Sequence, residues 1–351
     1  MHAAPKYPMG KVSRAFFENV IARHLGVKRS DVAVGPANGV DVGVVLLPDG
    51  RAMISTTDPI YIVPQYGWER AAWFSFHILA SDLTTSGVAP QYITLDWNLP
   101  MDIEDDQIET MLRVIDRESK KYGAAIVTGH TGRYEGCAYP MVGGATFLAI
   151  APEDGWVTAN MARAGNRLLV TKTAALEATA ILSNTFPELV ERRLGPETAR
   201  AARALFESMS TVDDAIAAAS VGLRGRGVWA MHDATEGGVR NAVWEMSQAS
   251  GLGVNVDLSK VPIDPAVEAV SDVFGMDPLD AISEGTLLIA VEPGSADDVT
   301  ARLKKIGSRA ADIGAFTKAG QRCIDRGRPF EPAERDPFWV AFSRALAGEI
   351  A

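Results

Sequence analysis

The sequence predicts an α/β (α+β) protein of two domains, and three observations carry that prediction. The chain is 351 residues long, more than one hydrophobic core usually serves. Each half mixes strand-like and helix-like segments without strict strand–helix–strand alternation, which favours α+β layers over a doubly wound sheet. Between the halves, "APEDGWVTANMARAGNR" (Ala151 to Arg167) is polar, rich in small residues and weakly patterned, so it reads as the connection.

The elements follow in order. "VSRAFFENVIARHLG" repeats Phe16, Phe17, Val20, Ile21 and Leu25 at helical spacing, with Gly26 as its stop. "DVGVVLLPDGRAMISTTDPIYIV" reads as two strands joined by a turn at Pro48 to Gly50. "ERAAWFSFHILASDLTTSG" is a helix with Ala72, Phe76, Leu79 and Leu83 on one face, and His77 among them reads as structural. "QYITLDWNLP" is a strand, "EDDQIETMLRVIDRESKKYG" a helix, "AAIVTGHTG" a strand running into a loop, and "PMVGGATFLAI" a closing strand. In the second half "RLLVTK" and "EGTLLIAV" are strands, while "AALEATAILSNTFPELV" and "PETARAARALFESMS" are helical. "GVWAMHDATEGGVRNAVWEMSQASG" is strand, loop and helix, and "DDVTARLKKIG" then "ADIGAFTKAG" give a last helix and strand.

Composition excludes several classes of function. Hydrophobic residues make up 47% and charged residues 22%, so wholesale disorder is excluded. The formal charge is −10 (34 basic against 44 acidic residues) with no Lys/Arg cluster, a poor match for nucleic acid or an anionic membrane. Two cysteines, Cys137 and Cys323, form no CxxC pair or disulfide framework, which fits a reducing compartment. The N-terminus lacks the apolar core of a signal peptide and no apolar run suits a transmembrane helix, so a cytoplasmic protein is expected.

Four places put an acidic or imidazole group at the end of an apolar element: Asp58 in "STTDP", Asp82 in "ILASDLTTSG", His130 in "IVTGHTG", and Asp233 with Glu236 in "HDATEGG". Mg²⁺ takes oxygen ligands and shares them with phosphates, so carboxylates converging from several elements would suit it. The glycines beside them, Gly129, Gly237 and Gly238 included, let backbone approach a phosphate, and free N–H groups at a helix start face anions well. Plain readings exist too: Asp58 as a turn residue, His130 as a loop residue, and Asp233 or Thr235 as the N-cap of the following helix. No Walker A or GxGxxG element is present.

Five segments, "STTDPIYIVP", "ILASDLTTSGVAPQYITLDWNLP", "IVTGHTGRYEGCAYPMVGGATFLAI", "MHDATEGGV" and "GMDPLDAISEGTLLIAV", resemble in order the signature blocks of one superfamily. It contains aminoimidazole ribonucleotide (AIR) synthetase, selenophosphate synthetase, thiamine-monophosphate kinase and the hydrogenase-maturation carbamoyl dehydratase, and the hydrogenase expression/formation (HypE-like) branch is most similar. The resemblance implies a PurM-like fold. Its N-terminal α/β domain, residues 1–155, would form a β-barrel across a homodimer. An α+β sandwich domain would span 164–325, followed by a helical tail over 326–351. It implies ATP and Mg²⁺ as cofactors, with Asp41, Asp58 and Asp82 holding the metal and triphosphate. Gly129, Thr131, Asp233, Glu236 and Gly237 would line the nucleotide, with His130 near the γ-phosphate and Asp82 beside it in the catalytic role. An unidentified small-molecule acceptor completes the expected reaction.

Departures from the family pattern accompany the match. The chain ends "SRALAGEIA" and Cys323 lies short of that end, so the carbamoyl-to-cyanide reaction, which uses a terminal cysteine, is not expected. The reactive Cys or Sec loop of a selenophosphate synthetase is missing, and "TGHT" stands where an acidic version is common. Cys137 reads either as a nucleophile or as a small packing residue. The expected function is a Mg²⁺-ATP-dependent enzyme, with an ATP-binding maturation or scaffold factor as the alternative. A structural dimer without nucleotide is the third reading.

Overall fold

A computed structural model describes residues 10–318 and 320–350. The first nine residues of the expected N-terminal domain and the last of the tail lie outside the described residues. Two sheets organise the chain. The first contains β1 (Val32–Val34), β2 (Gly43–Leu46), β3 (Arg51–Tyr61), β4 (Tyr92–Leu99), β5 (Ala125–Arg133) and β6 (Met141–Pro152), in the order β1-β2-β3-β6-β4-β5. All its pairings are antiparallel except β4 with β5. That parallel pair needs a crossover, which is supplied by helix α3 (Asp105–Tyr122). A Glu104–Gln107 capping box starts α3, acidic residues fill its first turn and lysines its last, and Gly123 in the left-handed region ends it. Among the described residues the sheet is open, with β1 and β5 at its edges, and closes no barrel. Gly143 (φ +126°) is needed where β6 crosses β4, because a Cβ there would lie 1.8 Å from the carbonyl oxygen of Asp96.

The second sheet contains β7 (Arg167–Thr171), β8 (Val228–Asp233), β9 (Gly253–Val256), β10 (Leu287–Val291), β11 (Ala310–Thr317), β12 (Cys323–Asp325) and β13 (Arg328–Pro329), in the order β13-β12-β9-β11-β7-β10-β8. Every residue of β8 and β10 is buried, because both faces are covered. Leu168, Val170, Ala230 and Leu288 face one core with α7 (Gly238–Ser250). Leu169, Met231, Leu287 and Ile289 face another, with α6 (Val212–Ala219) and α9 (Ala296–Lys305). A further core joins α4 (Leu176–Thr185), α5 (Pro187–Ala204), α8 (Pro265–Phe274) and α10 (Pro337–Leu346).

Helix α2 (Trp68–Thr84) links the two halves. Ala72, Phe76, Leu79 and Leu83 lie in the core of the first sheet, as their spacing predicts, while Phe74 points into the core of α4, α5 and α8. Burial on both sides fixes the rotation of α2 and so the direction in which Asp82, near its end, projects. The first predicted helix is shorter than its pattern: α1 is Arg14–Asn19, followed by a 3₁₀ turn at Ile21–Arg23. Phe16, Val20 and Leu25 are exposed, so the apolar face that suggested a longer helix finds no core among the described residues. The strand predicted to break into a loop at "TGHTG" instead continues as β5 to Arg133, held by its ladder with β4. Among the described residues no helix is long and apolar enough to cross a membrane.

Candidate functional site

Four aspartates meet where the two sheets face each other. Asp58 lies on β3 opposite Ala145, and Asp82 comes from the last turn of α2, accepting a 3.2 Å hydrogen bond from Thr56 Oγ1. Asp41 precedes β2, and Asp233 ends β8 with only 1% of its side chain exposed. Their proximity is visible in their acidity. Burial, then the charges of Asp233, Asp41 and Asp58, pushes Asp82 well above the usual carboxylate range. Burial and Asp41 push Asp233 up to about 7, and burial raises Asp58. Like charges held together out of water in this way are a costly arrangement that a cation relieves.

His232 sits inside this group. Burial works against the imidazolium, but Asp41 and Glu245 raise its pKa well above the ordinary value. Nδ1–H donates to Asp41 Oδ1 at 2.8 Å and Nε2–H to Glu245 Oε2 at 3.0 Å. The second oxygens, Asp41 Oδ2 and Asp233 Oδ2, are buried and accept no hydrogen bond. One potential ligand atom each from Asp41, His232 and Asp233 lies within 4.8 Å of the others. The imidazolium cannot be a ligand while both its protons are engaged. The two orphaned oxygens, with Asp82 and Asp58, are the oxygen donors that Mg²⁺ prefers, so the residues present fit that ion. Bound there, it would neutralise carboxylate and phosphate charge together.

Lys11 is the second cation at the site. Lys11 is exposed overall, and against the desolvation of its ammonium the charges of Glu245, Asp82, Asp233 and Asp58 together raise its pKa. Its backbone N–H donates to Glu236 Oε2 at 3.0 Å and its Nζ to Thr235 Oγ1 at 3.4 Å. Thus Glu236 does not point at the aspartates but ties down the start of the described chain. Behind the cluster, burial raises Glu177 to about 7 and lifts Glu284 well above its usual range, with Asp233 adding to both. The backbone N–H of Glu284 donates to Glu177 Oε2 at 3.0 Å.

The structure departs from two expectations at "HDATEGG". Neither Asp233 nor Thr235 caps α7; its N-cap is Gly237, with φ +82° and no side-chain cap. The amides expected to await an anion are already engaged. Gly237 N–H donates to Asp336 Oδ2 at 2.6 Å and Gly238 N–H to the carbonyl of Thr235 at 3.0 Å. Gly238 is there for close approach, since a Cβ would lie 2.6 Å from the carbonyl oxygen of Ala281.

Gly129, His130 and Thr131 are not brought to the aspartates within one chain. They lie on exposed β5, and the register Asp58–Ala145–Leu95–Gly129 puts three strand spacings, about 14 Å, between Gly129 and Asp58. His130 Nε2 is 2.5 Å from the hydroxyl of Tyr134, which stacks beside it. Cys137 is half-buried beyond β5, and Cys323 is buried in the core beside α7. Sequence reasoning missed Lys11, Glu245, Glu177, Glu284 and Asp336, and quoted His232 without giving it a role. Asp336 had a readable signal, since Asp before Pro marks a helix start. Lys11 and Glu245 had none.

Comparison with known proteins shows the family. Residues 39–150 match the N-terminal domain, and residues 163–324 the C-terminal domain, of AIR synthase related protein. The chain belongs to this family. It is 30% identical to carbamoyl dehydratase HypE of Escherichia coli K12 over 241 residues, 67% of each chain. Its fold is similar to AaThiL complexed with AMPPCP and TMP (TM-score 0.69, 18% identity, 93% of this chain and 98% of that one). It is also similar to hydrogenase maturation protein HypE in complex with ATP (TM-score 0.62, 19% identity, 94% and 97%).

Proposed function

We propose that the chain is a Mg²⁺-ATP-dependent enzyme of the AIR synthetase, HypE, thiamine-monophosphate kinase and selenophosphate synthetase superfamily. It uses the ATP phosphate to activate or phosphorylate a small-molecule acceptor. One observation carries this reading: Asp41, Asp58, Asp82 and Asp233 are packed together with two buried carboxylate oxygens, Asp41 Oδ2 and Asp233 Oδ2, left without a partner. Phosphoryl transfer asks mainly for charge neutralisation and positioning, and this cluster supplies the anionic half of a metal–phosphate site. Lys11, held at Thr235 and Glu236, supplies a cation for the phosphate itself. ATP in complex with a HypE and AMPPCP with AaThiL support nucleotide as the ligand.

The proposal includes a division into residues 1–155, 164–325 and a tail over 326–351, and a homodimer joined through β5. Ile126 and Val127 on that edge, with Met141 and Tyr134 nearby, are exposed apolar or aromatic residues that such pairing would cover. Pairing would also carry Gly129, His130 and Thr131 into a shared interface. A second reading, an ATP-binding maturation or scaffold factor, draws on His232, which already balances Asp41 and Glu245 without a metal.

Titration calorimetry with ATP, with and without Mg²⁺, on wild type and Asp82→Asn tests the site. Asp82→Asn is expected to weaken Mg²⁺-ATP binding by roughly 100-fold while raising the melting temperature of the nucleotide-free protein, because one of the crowded charges is gone. Unchanged affinity would show that the nucleotide binds elsewhere. Tight binding without turnover across a panel of phosphate acceptors would favour the scaffold reading.

A further inference from the structure

The C-terminal segment reaches the candidate site through a single carboxylate. Asp336 is 4% exposed and forms two hydrogen bonds with different duties. Its Oδ1 accepts from Phe338 N–H at 2.8 Å, which caps α10. Its Oδ2 accepts from Gly237 N–H at 2.6 Å, ninety-nine residues away in sequence. Gly237 is the left-handed corner from which Glu236 and Thr235 project toward Lys11, and Asn241 Nδ2 holds the same corner by donating to the Glu236 carbonyl at 2.9 Å.

We propose that Asp336 is a positioning residue for the nucleotide site: anchored by α10, it fixes the Glu236–Gly237 corner and thereby sets where Thr235 and Glu236 hold Lys11. The proposal rests on the nucleotide reading above. A carboxylate in an anion seat has two possible roles, a fixed strut or a stand-in displaced by phosphate. Its anchorage decides for the strut. Phe338 and Ala341 are each 2% exposed in the core formed with α4, α5 and α8, and Trp339 and Phe342 pack on the same core. Moving Asp336 off Gly237 would withdraw that apolar surface from its seat.

Asp336→Asn separates the two hydrogen bonds. Asparagine caps helices as well as aspartate does, so α10 keeps its start. Its amide nitrogen, placed where Oδ2 was, cannot accept from Gly237. In the full-length chain the expected result is exchange of the Gly237 amide with solvent about tenfold faster, Mg²⁺-ATP affinity about tenfold lower, and a nearly unchanged melting temperature. Asp336→Ser, which caps but is too short to reach Gly237, repeats the test if the first variant fails to fold. Phe338→Ala loosens α10 and keeps the carboxylate, so it should lower the melting temperature more and the affinity less; the reverse order overturns the proposal. Tighter Mg²⁺-ATP binding in Asp336→Asn also overturns it, since the carboxylate would then compete with phosphate. So does unchanged affinity. Failure of wild type to bind Mg²⁺-ATP removes the nucleotide reading and this role with it, and it is read on the wild-type chain alone.

Discussion

His77 and His232 are both buried, both flanked by oxygens from distant parts of the chain, and opposite in character. His77, on α2, donates Nε2–H to Glu118 on α3 at 3.4 Å and accepts at Nδ1 from the hydroxyl of Ser210 in the other half at 2.7 Å. Burial lowers its pKa, and Glu118 only partly offsets this. His232 has a carboxylate on each nitrogen, Asp41 and Glu245, and its pKa rises. The difference shows that burial does not decide whether a histidine carries charge. The number of charges that face it does.

The comparison is broken most directly by removing each imidazole. His232→Gln removes the imidazolium's charge from Asp41 and Glu245 in a site already crowded with carboxylates, so a loss of roughly 3 kcal/mol is expected in denaturant unfolding. His77→Gln removes a neutral group and should cost about 1 kcal/mol. Equal losses would mean that the His232 bridge contributes no more than two neutral hydrogen bonds. Mg²⁺ should restore part of the loss in His232→Gln, because it neutralises Asp41 in its place, and none of the loss in His77→Gln.

A smaller effect follows from pH. Asp233 and Glu177 are raised to about 7 by burial, with Asp41 adding to the first and Asp336 and Asp233 to the second. A carboxyl whose folded pKa lies above its unfolded value holds its proton better when folded. Its stabilising contribution is therefore complete below about pH 4 and lost as the pH rises through about 7. Glu118 and Glu245 are lowered and act in the opposite sense, losing stability as the pH falls. The total is thus less informative than the increment due to Mg²⁺, which binds the ionised aspartates. That increment in melting temperature should be larger at about pH 8 than at about pH 5.5. An increment independent of pH would place the ion away from Asp233.

Much of the scaffold was legible in the sequence because it depends on local periodicity. The stripe Ala72, Phe76, Leu79 and Leu83 identified α2 and its buried face, and the apolar run before His232 identified β8. Where periodicity outran burial, as in the segment around Phe16 and Val20, it predicted more helix than forms. The candidate site was legible to the extent that its residues lie at the ends of apolar elements, as Asp82 and Asp233 do; Asp58 lies inside β3 instead. Glu245 lies in the middle of α7 and Lys11 in an irregular segment, so neither has a local signature, and both matter only through partners more than a hundred residues away or on another face of the same motif. Gly237 shows the same limit from the other side: its place at a helix start was readable, but the carboxylate that takes its amide comes from the tail.

The smallest expected effect concerns how the His77 junction reaches the site. His77 and Ser210 line a cleft of about 690 Å³ between the halves, together with Lys172. Lys172 Nζ donates to the carbonyls of Ser210 at 2.6 Å and Gly285 at 3.0 Å, and Gly285 follows Glu284 in the buried carboxyl group behind the aspartates. Thr211 N–H donates to Ser81 Oγ at 3.0 Å, one residue before Asp82. The junction thus touches the backbone beside two site residues without touching the site. Ser210→Ala removes the hydroxyl from His77 but leaves the carbonyl for Lys172, so Mg²⁺-ATP affinity should fall by no more than about threefold, with about 1 kcal/mol lost in stability. Lys172→Met removes the tie to both carbonyls and leaves Asp214 buried without its 2.8 Å partner, so its affinity loss should exceed that of Ser210→Ala. If Ser210→Ala instead weakened nucleotide binding as strongly as the roughly 100-fold expected of Asp82→Asn, junction and site would be one coupled unit, and the contrast between a neutral and a charged histidine would not mark the boundary between scaffold and site.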